Sequence, residues 1–205
     1  MPRRKNVRIT SPTGIAQWPR LNEPDTKFDK DGVYSVSLRL PKDDAGELVE
    51  TITGVLSEFM EKLAGNKARK PKVAPLPIKD VVDGDDIPTG EIEIKFKMRA
   101  VGGHGGDRWE QKPALFDSAG RPMTEVIGGG SRIKVGAEVV PYNTTMAGAG
   151  VTLRLKAVQV IELVEYTKGD SFNAWEFSEE KGFVSNNEPV PQVKEPSVEG
   201  EGFDF

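Results

Sequence analysis

The chain has 205 residues, with 28 lysines and arginines, 32 aspartates and glutamates, one histidine and no cysteine. This composition excludes a disulfide scaffold, thiolate metal sites and a cysteine nucleophile, and a single histidine, His104, excludes a histidine-rich zinc site. No apolar run approaches the roughly 20 residues that cross a bilayer, and no signal peptide follows the basic N-terminus, so we expect a soluble, intracellular protein without membrane contact.

The charge is distributed unevenly along the chain. Residues 170–205 contain nine acidic and two basic side chains, net −7, whereas residues 1–169 contain 26 bases and 23 acids, net +3. We therefore predict one domain over residues 1–169 and an acidic, largely disordered tail over residues 170–205. The asymmetry fits an interaction tail and a merely solubilising tail equally well.

The first third of the chain predicts an arm, a strand and a helix. Residues 1–30 are rich in Pro, Asn and Asp with few apolar side chains, which predicts an irregular arm with a basic tip. Residues 33–40 alternate between apolar and polar types, as a half-buried strand does. From Ala45 to Leu63 the apolar residues follow helical spacing, with Asp44 placed as the N-cap and Gly65 placed to end the helix.

The remainder is dominated by strand patterns. Residues 66–90 contain four prolines and predict a long loop. Alternating strands are then expected over residues 91–98, 131–142 and 151–166, with a strand broken at Pro113 between them. This pattern predicts a mainly β fold, namely an OB-fold-like five-stranded antiparallel barrel with one inserted helix.

Little in the sequence supports catalysis. The glycines at 128–130 are not followed by Lys-Ser/Thr and a helix, so they do not form a phosphate-binding loop. The carboxylates of a single loop, Asp80–Asp86, suggest a magnesium-dependent nuclease as an alternative, but a two-metal site needs ligands that converge from rigid elements. We therefore predict a protein that is not an enzyme and that needs no metal or cofactor.

Cationic side chains repeat on one face of three predicted strands. The pairs are Lys95 with Lys97, Arg132 with Lys134, and Arg154 with Lys156. Two aromatic residues flank them, because Tyr142 ends a strand and Trp109 follows a glycine-rich turn. Cations that follow phosphates and rings that stack on bases are what a single-strand groove requires. For any one pair, a solvated sheet face would explain the alternation equally well.

Several short motifs resemble the single-stranded DNA-binding proteins of lytic short-tailed phages, a family with an OB-fold, an acidic tail and a C-terminal phenylalanine. The motif around the glycine triplet, Ile127–Ser131 followed by Val140-Pro141-Tyr142, is the most specific. The others are Gly32-Val33-Tyr34, Leu40-Pro41, Lys95-Phe96-Lys97, Phe116-Asp117-Ser118 with Gly120, and Asp204-Phe205.

The resemblance implies a sequence-independent single-stranded DNA-binding protein of phage DNA replication, recombination and repair, active in the cytoplasm of the infected bacterium. Such a protein coats and protects single strands, removes their secondary structure and promotes annealing, and the resemblance suggests a homodimer. Lys95, Lys97 and Tyr142 would face the DNA. The tail would recruit the phage DNA polymerase and helicase–primase through Glu199, Glu201, Phe203, Asp204 and Phe205. A structural phage protein whose basic strands face solvent is a further alternative.

The sequence departs from the family pattern at three places. Asp31 stands where a basic residue is expected before Gly32, so Lys30, one position earlier, is the candidate cation there. No aromatic follows Tyr142 closely, so either one stacking platform is missing or Trp109 replaces it. The tail is less densely acidic than is usual in the family, being diluted by Pro, Val and Asn.

Overall fold

A computed structural model describes residues 6–65, 72–104 and 107–165. The predicted tail and the five residues predicted to bind partners lie outside these ranges. In chain order the elements are β1 (Val7–Thr10), β2 (Gly14–Asp25), β3 (Val33–Pro41), α1 (Gly46–Ala64), β4 (Ile78–Val82), β5 (Pro88–Arg99), β6 (Val101–His104), β7 (Asp107–Glu110), β8 (Ala114–Phe116), β9 (Arg132–Thr144) and β10 (Gly148–Glu162).

Five strands close on one another in the order β9-β2-β3-β5-β10 and back to β9. Four of the five contacts are antiparallel, and the fifth, between β5 and β10, is parallel. This is the five-stranded Greek-key barrel of an OB-fold, which confirms the predicted fold class. β1, β4 and β8 extend the sheet beside β9, β5 and β10, and β6 and β7 form a separate hairpin.

The barrel interior is built by strict alternation along the strands. On β5 the residues Ile92, Ile94, Phe96 and Met98 are buried, and their register partners on β3 and β10 are also buried and, apart from Tyr34, aliphatic. Successive side chains of a strand point to opposite faces. The residues between them, Lys95 among them, therefore point outward on one common face.

The helix α1 follows β3 and packs onto the barrel through Leu48, Ile52 and Leu56. The N-cap position is Ala45, in a helical conformation and without any side-chain cap, so the prediction of Asp44 as the cap is wrong. The chain already turns through a backbone hydrogen bond from the Ala45 N–H to the Lys42 oxygen, which leaves Asp44 one residue outside the cap position. None of the described residues form a helix with the length and apolarity of a membrane span.

Two segments predicted as irregular contain strands. Within residues 1–30, β1 and β2 pair with β9 and β3. These strands have few inward residues. In addition, β2 shifts register after Gln17, where Trp18 takes a positive φ of 50°. The alternation of apolar and polar residues that marks a strand in the sequence is therefore lost. Within residues 66–90, β4 forms an antiparallel pair with the start of β5. Prolines at the ends of this pair interrupt the sequence pattern that would predict a strand.

Candidate nucleic-acid interface

Two adjoining hollows on the outer face of the barrel form one groove. The first hollow has a volume of about 720 Å³ and its lining includes Lys95, Tyr142 and Lys79. The second has a volume of about 600 Å³ and its lining includes Trp109 and Arg154. The two hollows share the side chains of Asp29, Val33, Lys97 and Thr152.

The register between β3 and β5 exposes two lysines on the groove floor, where Glu93 lies on the same face of β5. Lys95 lies opposite Ser37, and Lys97 lies opposite Ser35. Serine is too short to cover a lysine, and both lysines are exposed. Within residues 6–65, 72–104 and 107–165, neither lysine has an ion-pair partner. Both are therefore available to an anionic ligand.

Two aromatic rings border the groove, and each lies over a glycine of the neighbouring strand. Tyr142 pairs with Gly150, and a Cβ at position 150 would stand 2.7 Å from the phenol oxygen. Trp109 pairs with Gly102, where a Cβ would stand 2.7 Å from the indole ring. Glycine thus lets each ring lie against the strand, and Trp109 still exposes 51% of its surface.

The pair Arg132 and Lys134 does not join the groove. Both lie on the same face of β9 as Tyr142, but Lys134 is eight residues away, which corresponds to about 26 Å of strand. Arg132 forms an ion pair with Glu162 at 2.6 Å, and Lys134 is half-buried in register with Gln159. Arg132 and Lys134 therefore share the alternation of the other two pairs but lie outside the two hollows.

Of the third predicted pair, Arg154 and Lys156, one residue lines the groove and the other does not, and Lys30 also lies outside the groove. Arg154 lines the second hollow next to Lys97 in the β5–β10 register, whereas Lys156 lines neither hollow. Both reach the carboxylate of Glu138 at 3.8 Å, so their charge is partly neutralised. Lys30 is exposed on the loop between β2 and β3 and lines neither hollow.

Sequence reasoning missed three groove residues. Phe28 is 89% exposed beside the first hollow, and the Lys27 ammonium lies 5.4 Å from its ring centroid. A lone phenylalanine in the polar segment 26–31 is a signal that could have found it. Arg99 continues the alternation of Lys95 and Lys97 by one step. Lys79 lies on β4, which was predicted as a loop.

The carboxylates proposed for the nuclease alternative hold a turn together. Asp83 accepts hydrogen bonds from the N–H groups of Asp85 and Ile87, both at 2.9 Å. Asp80 forms an ion pair with Lys42 at 2.8 Å. In the part of the chain that the structure describes, no three His, Cys, Asp or Glu side chains are grouped so that they could bind a metal ion.

The most specific sequence motif has a structural role. The buried Ser131 donates a hydrogen bond to the Gly128 oxygen at 2.8 Å and accepts one from the Val164 N–H at 3.0 Å. Gly130, at a φ of 90°, donates to the Ala16 oxygen at 2.9 Å. The motif thereby ties the start of β2 to the end of β10, where β2 and β9 pair through only two residues.

The motif at residues 116–120 forms a turn in the same way. The carboxylate of Asp117 accepts from the N–H groups of Ala119 at 2.9 Å and Arg121 at 2.8 Å, and it also pairs with the Arg121 guanidinium. The backbone hydrogen bond from Arg121 is the chief reason that the pKa of Asp117 lies below its ordinary value. This motif therefore stabilises the fold.

A closed five-stranded barrel with a cationic groove and aromatic rings at its rim defines an OB-fold of the nucleic-acid-binding kind. A family model described as single-stranded DNA-binding protein of bacteriophage T7 matches residues 12–163. The chain therefore belongs to this family of phage single-stranded DNA-binding proteins, as its motifs indicated.

Individual relatives agree with this assignment. The single-stranded DNA-binding protein of Escherichia phage T7 is 30% identical over 176 residues, 76% of this chain and 72% of that protein. The one from Enterobacteria phage T3 is 28% identical over 197 residues, 86% of this chain and 85% of that protein. These relatives are binding proteins and not enzymes, so the nuclease alternative is not supported.

Solved structures show the same fold. The crystal structure of gp2.5, the single-stranded DNA-binding protein of bacteriophage T7, has a TM-score of 0.67 at 29% identity and covers 89% of this chain and 100% of that one. The single-stranded DNA-binding protein of bacteriophage Enc34, solved in complex with ssDNA, has a TM-score of 0.56 at 21% identity and covers 77% and 88%. The latter likeness is one of fold.

Proposed function

We propose that this chain binds single-stranded DNA without regard to sequence during phage DNA replication and recombination. The observation that carries the proposal is the groove whose first hollow is lined by the exposed Lys95 and Lys97 and by Tyr142. Membership of a family whose T7 and T3 members are single-stranded DNA-binding proteins supports the same function.

The groove matches the chemistry of a single strand. Its cations suit phosphates, and its rings suit bases, since every base offers a face for stacking whatever its identity. A strand that follows both hollows would pass Tyr142, then Lys95 and Lys97, and then Arg154 and Trp109. Phe28 would add a third ring at the first hollow.

Preferential binding to unpaired strands accounts for the cellular roles that we propose. A protein that binds only the open form shifts the equilibrium between paired and open DNA by mass action. It would therefore remove hairpins, protect the exposed strand and favour annealing between complementary strands. We place this activity in the cytoplasm of the infected bacterium.

The acidic residues 170–205 supply the proposed link to other replication proteins. Their net charge of −7 opposes the +3 of residues 1–169. A tethered segment competes at an effective concentration of millimolar order, so it would occupy the groove until DNA displaces it. The released segment would then bind the phage polymerase or helicase–primase, with Phe203 and Phe205 as apolar anchors and Glu199, Glu201 and Asp204 as charged ones. Exchange of these segments between two chains would give a homodimer.

A filter-binding experiment tests the proposed function. Single- and double-stranded oligonucleotides of several sequences are incubated with the full chain, with and without Mg²⁺. We expect retention of all single strands with similar affinity, little retention of duplex and no dependence on Mg²⁺. Cleavage of the oligonucleotide in Mg²⁺ would instead revive the nuclease alternative, and absence of retention would favour a structural protein.

A further inference from the structure

Two arginines are each engaged by an acidic residue of the loop between β2 and β3, residues 26–32, and of these two ion pairs the one between Arg99 and Asp29 lines the second hollow. The Arg108 guanidinium lies 2.5 Å from the Asp31 carboxylate. The Arg99 guanidinium lies 3.5 Å from the Asp29 carboxylate. Arg99 ends β5 in the same alternation as Lys95 and Lys97, and Arg108 immediately precedes the groove tryptophan on β7.

The position of Asp29 matters most for a bound strand. Its side chain lines both hollows, together with Lys97. A polyanion that passes from the first hollow to the second must therefore pass a carboxylate that faces it. Arginine binds phosphate in much the same geometry as it binds carboxylate, through charge-assisted hydrogen bonds. A phosphate group could thus take the place of the Asp29 carboxylate on Arg99.

In both ion pairs the arginine can readily exchange its carboxylate partner for another anion. Arg99 and Arg108 expose 74% and 53% of their side chains, and exposed ion pairs contribute little and are screened by salt. The loop is also held independently of them. The Gly32 N–H donates to the Asp29 carbonyl oxygen at 2.8 Å, and the Ala100 N–H donates to the Gly32 oxygen at 2.8 Å. Breaking the ion pairs would leave this backbone anchor in place.

We propose that Arg99 is a phosphate-binding residue that Asp29 occupies in the free protein, and that a DNA strand entering the second hollow exchanges carboxylate for phosphate. The proposal rests on the proposed function of the groove. Its effect is to lower affinity at the Trp109 end of the groove and to make occupation of that end more dependent on salt.

The test uses Asp29→Asn in the full chain. Asparagine removes the charge but keeps an oxygen that can accept the Asp31 N–H, which Asp29 now binds at 3.1 Å. Asp117→Asn is the matched control. Asp117 also accepts backbone N–H groups, pairs with an arginine at 2.7 Å and exposes 29% of its side chain, compared with 31% for Asp29, but it lines neither hollow.

Binding to oligo-dT is measured by fluorescence anisotropy over a range of salt concentrations. Asp29→Asn should bind about two- to fivefold more tightly than wild type at low salt, the range that loss of one exposed ion pair corresponds to. The slope of log K against log salt should steepen by up to about 0.7 for each freed phosphate contact. Asp117→Asn should change neither quantity beyond its uniform charge effect.

A second substitution distinguishes the release of a phosphate-binding arginine from a general change in the charge of the protein. Adding Arg99→Gln to Asp29→Asn should remove the gained slope, because the cation that would bind phosphate is gone. If Asp29→Asn matches Asp117→Asn, or if Arg99→Gln leaves the slope gained by Asp29→Asn intact, the proposal is wrong. If wild type itself fails to bind oligo-dT in this assay, the proposed function fails instead.

Discussion

Tyr142 lies directly across the β9–β10 pair from Gly150, and its phenol ring occupies the space that a side chain at position 150 would fill. A Cβ there would also stand 2.9 Å from the Cβ of Ala74. The orientation of the ring toward the groove therefore depends on a residue that itself offers DNA nothing. This dependence gives a test of the site that leaves every groove side chain unchanged.

Gly150→Ala should displace the Tyr142 ring and weaken binding to oligo-dT, although no groove residue is altered. Gly136→Ala is the control, because a Cβ on that glycine of β9 meets its nearest neighbour at 3.7 Å, an ordinary contact. Thermal unfolding of both variants separates loss of binding from loss of fold. Equal oligo-dT affinities in the two variants would contradict a role for the ring position.

Substitution of Tyr142 itself should distinguish stacking from hydrogen bonding. Tyr142→Ala should cost about 1–3 kcal/mol of binding free energy, whereas Tyr142→Phe should cost little, because the ring face stacks on the base. Affinities for oligo-dT and for mixed-sequence oligonucleotides provide the measurement. A loss of similar size in both variants would point to a hydrogen bond from the hydroxyl.

Lys95→Ala and Lys97→Ala should each weaken binding to a similar extent for every sequence tested. If each lysine contacts one phosphate, the slope of log K against log salt should fall by about 0.7 per substitution. Lys62→Ala is a suitable control, because Lys62 lies at the end of α1 in an ion pair with Glu58 and lines neither hollow. Reduced affinity with an unchanged slope would show that these lysines do not bind phosphate.

The two exposed tryptophans of the described ranges should respond differently to DNA. Trp109 lines the second hollow, whereas Trp18, although 84% exposed, lines neither hollow. Stacking on a base quenches indole fluorescence, so the quenching that oligo-dT causes should be lost in Trp109→Phe and retained in Trp18→Phe. The opposite pattern would show that DNA does not bind at the β6–β7 hairpin.

Removal of residues 186–205 should strengthen binding to single strands. The segment holds five acidic residues and one basic residue, so its loss changes the net charge by +4. The gain should be largest at low salt, where screening of the competing charges is weakest. A chain that lacks only Phe205 keeps that charge and should bind DNA as wild type does, while losing stimulation of its cognate polymerase. Unchanged affinity after the full deletion would exclude competition for the groove.

The sequence predicts the barrel well where one pattern dominates. Along β5, four inward apolar residues alternate with charged ones, so both the strand and its cationic face follow from the period alone. β2 escapes detection because its inward residues, such as Ala16 and Leu21, are separated by a register shift, and pairing with β3 compensates for the weak local pattern.

The groove is predicted less completely than the barrel, because its boundary is set by three-dimensional register. Arg132 and Lys97 carry the same local pattern, yet only Lys97 lies in a hollow, since the pairing of β5 with β3 and β10 places it there. Similarly, nothing local to Asp31 shows that it reaches Arg108, 77 positions away in the chain.

The parallel contact between β5 and β10 has a consequence for the energetics of the whole barrel. Only two residue pairs, Leu153–Phe96 and Arg154–Lys97, connect these strands, which makes this one of the shortest strand pairings in the sheet. Two positively charged side chains, Arg154 and Lys97, therefore lie opposite each other on its outer face. Like charges directly opposite each other oppose pairing of the strands. A phosphate bound between Lys97 and Arg154 would act as a counter-ion that draws the two strands together. Bound DNA would then stabilise the pairing of β5 with β10. The backbone amide hydrogens of residues 94–98 and 152–156 should therefore exchange with solvent more slowly once a strand is bound.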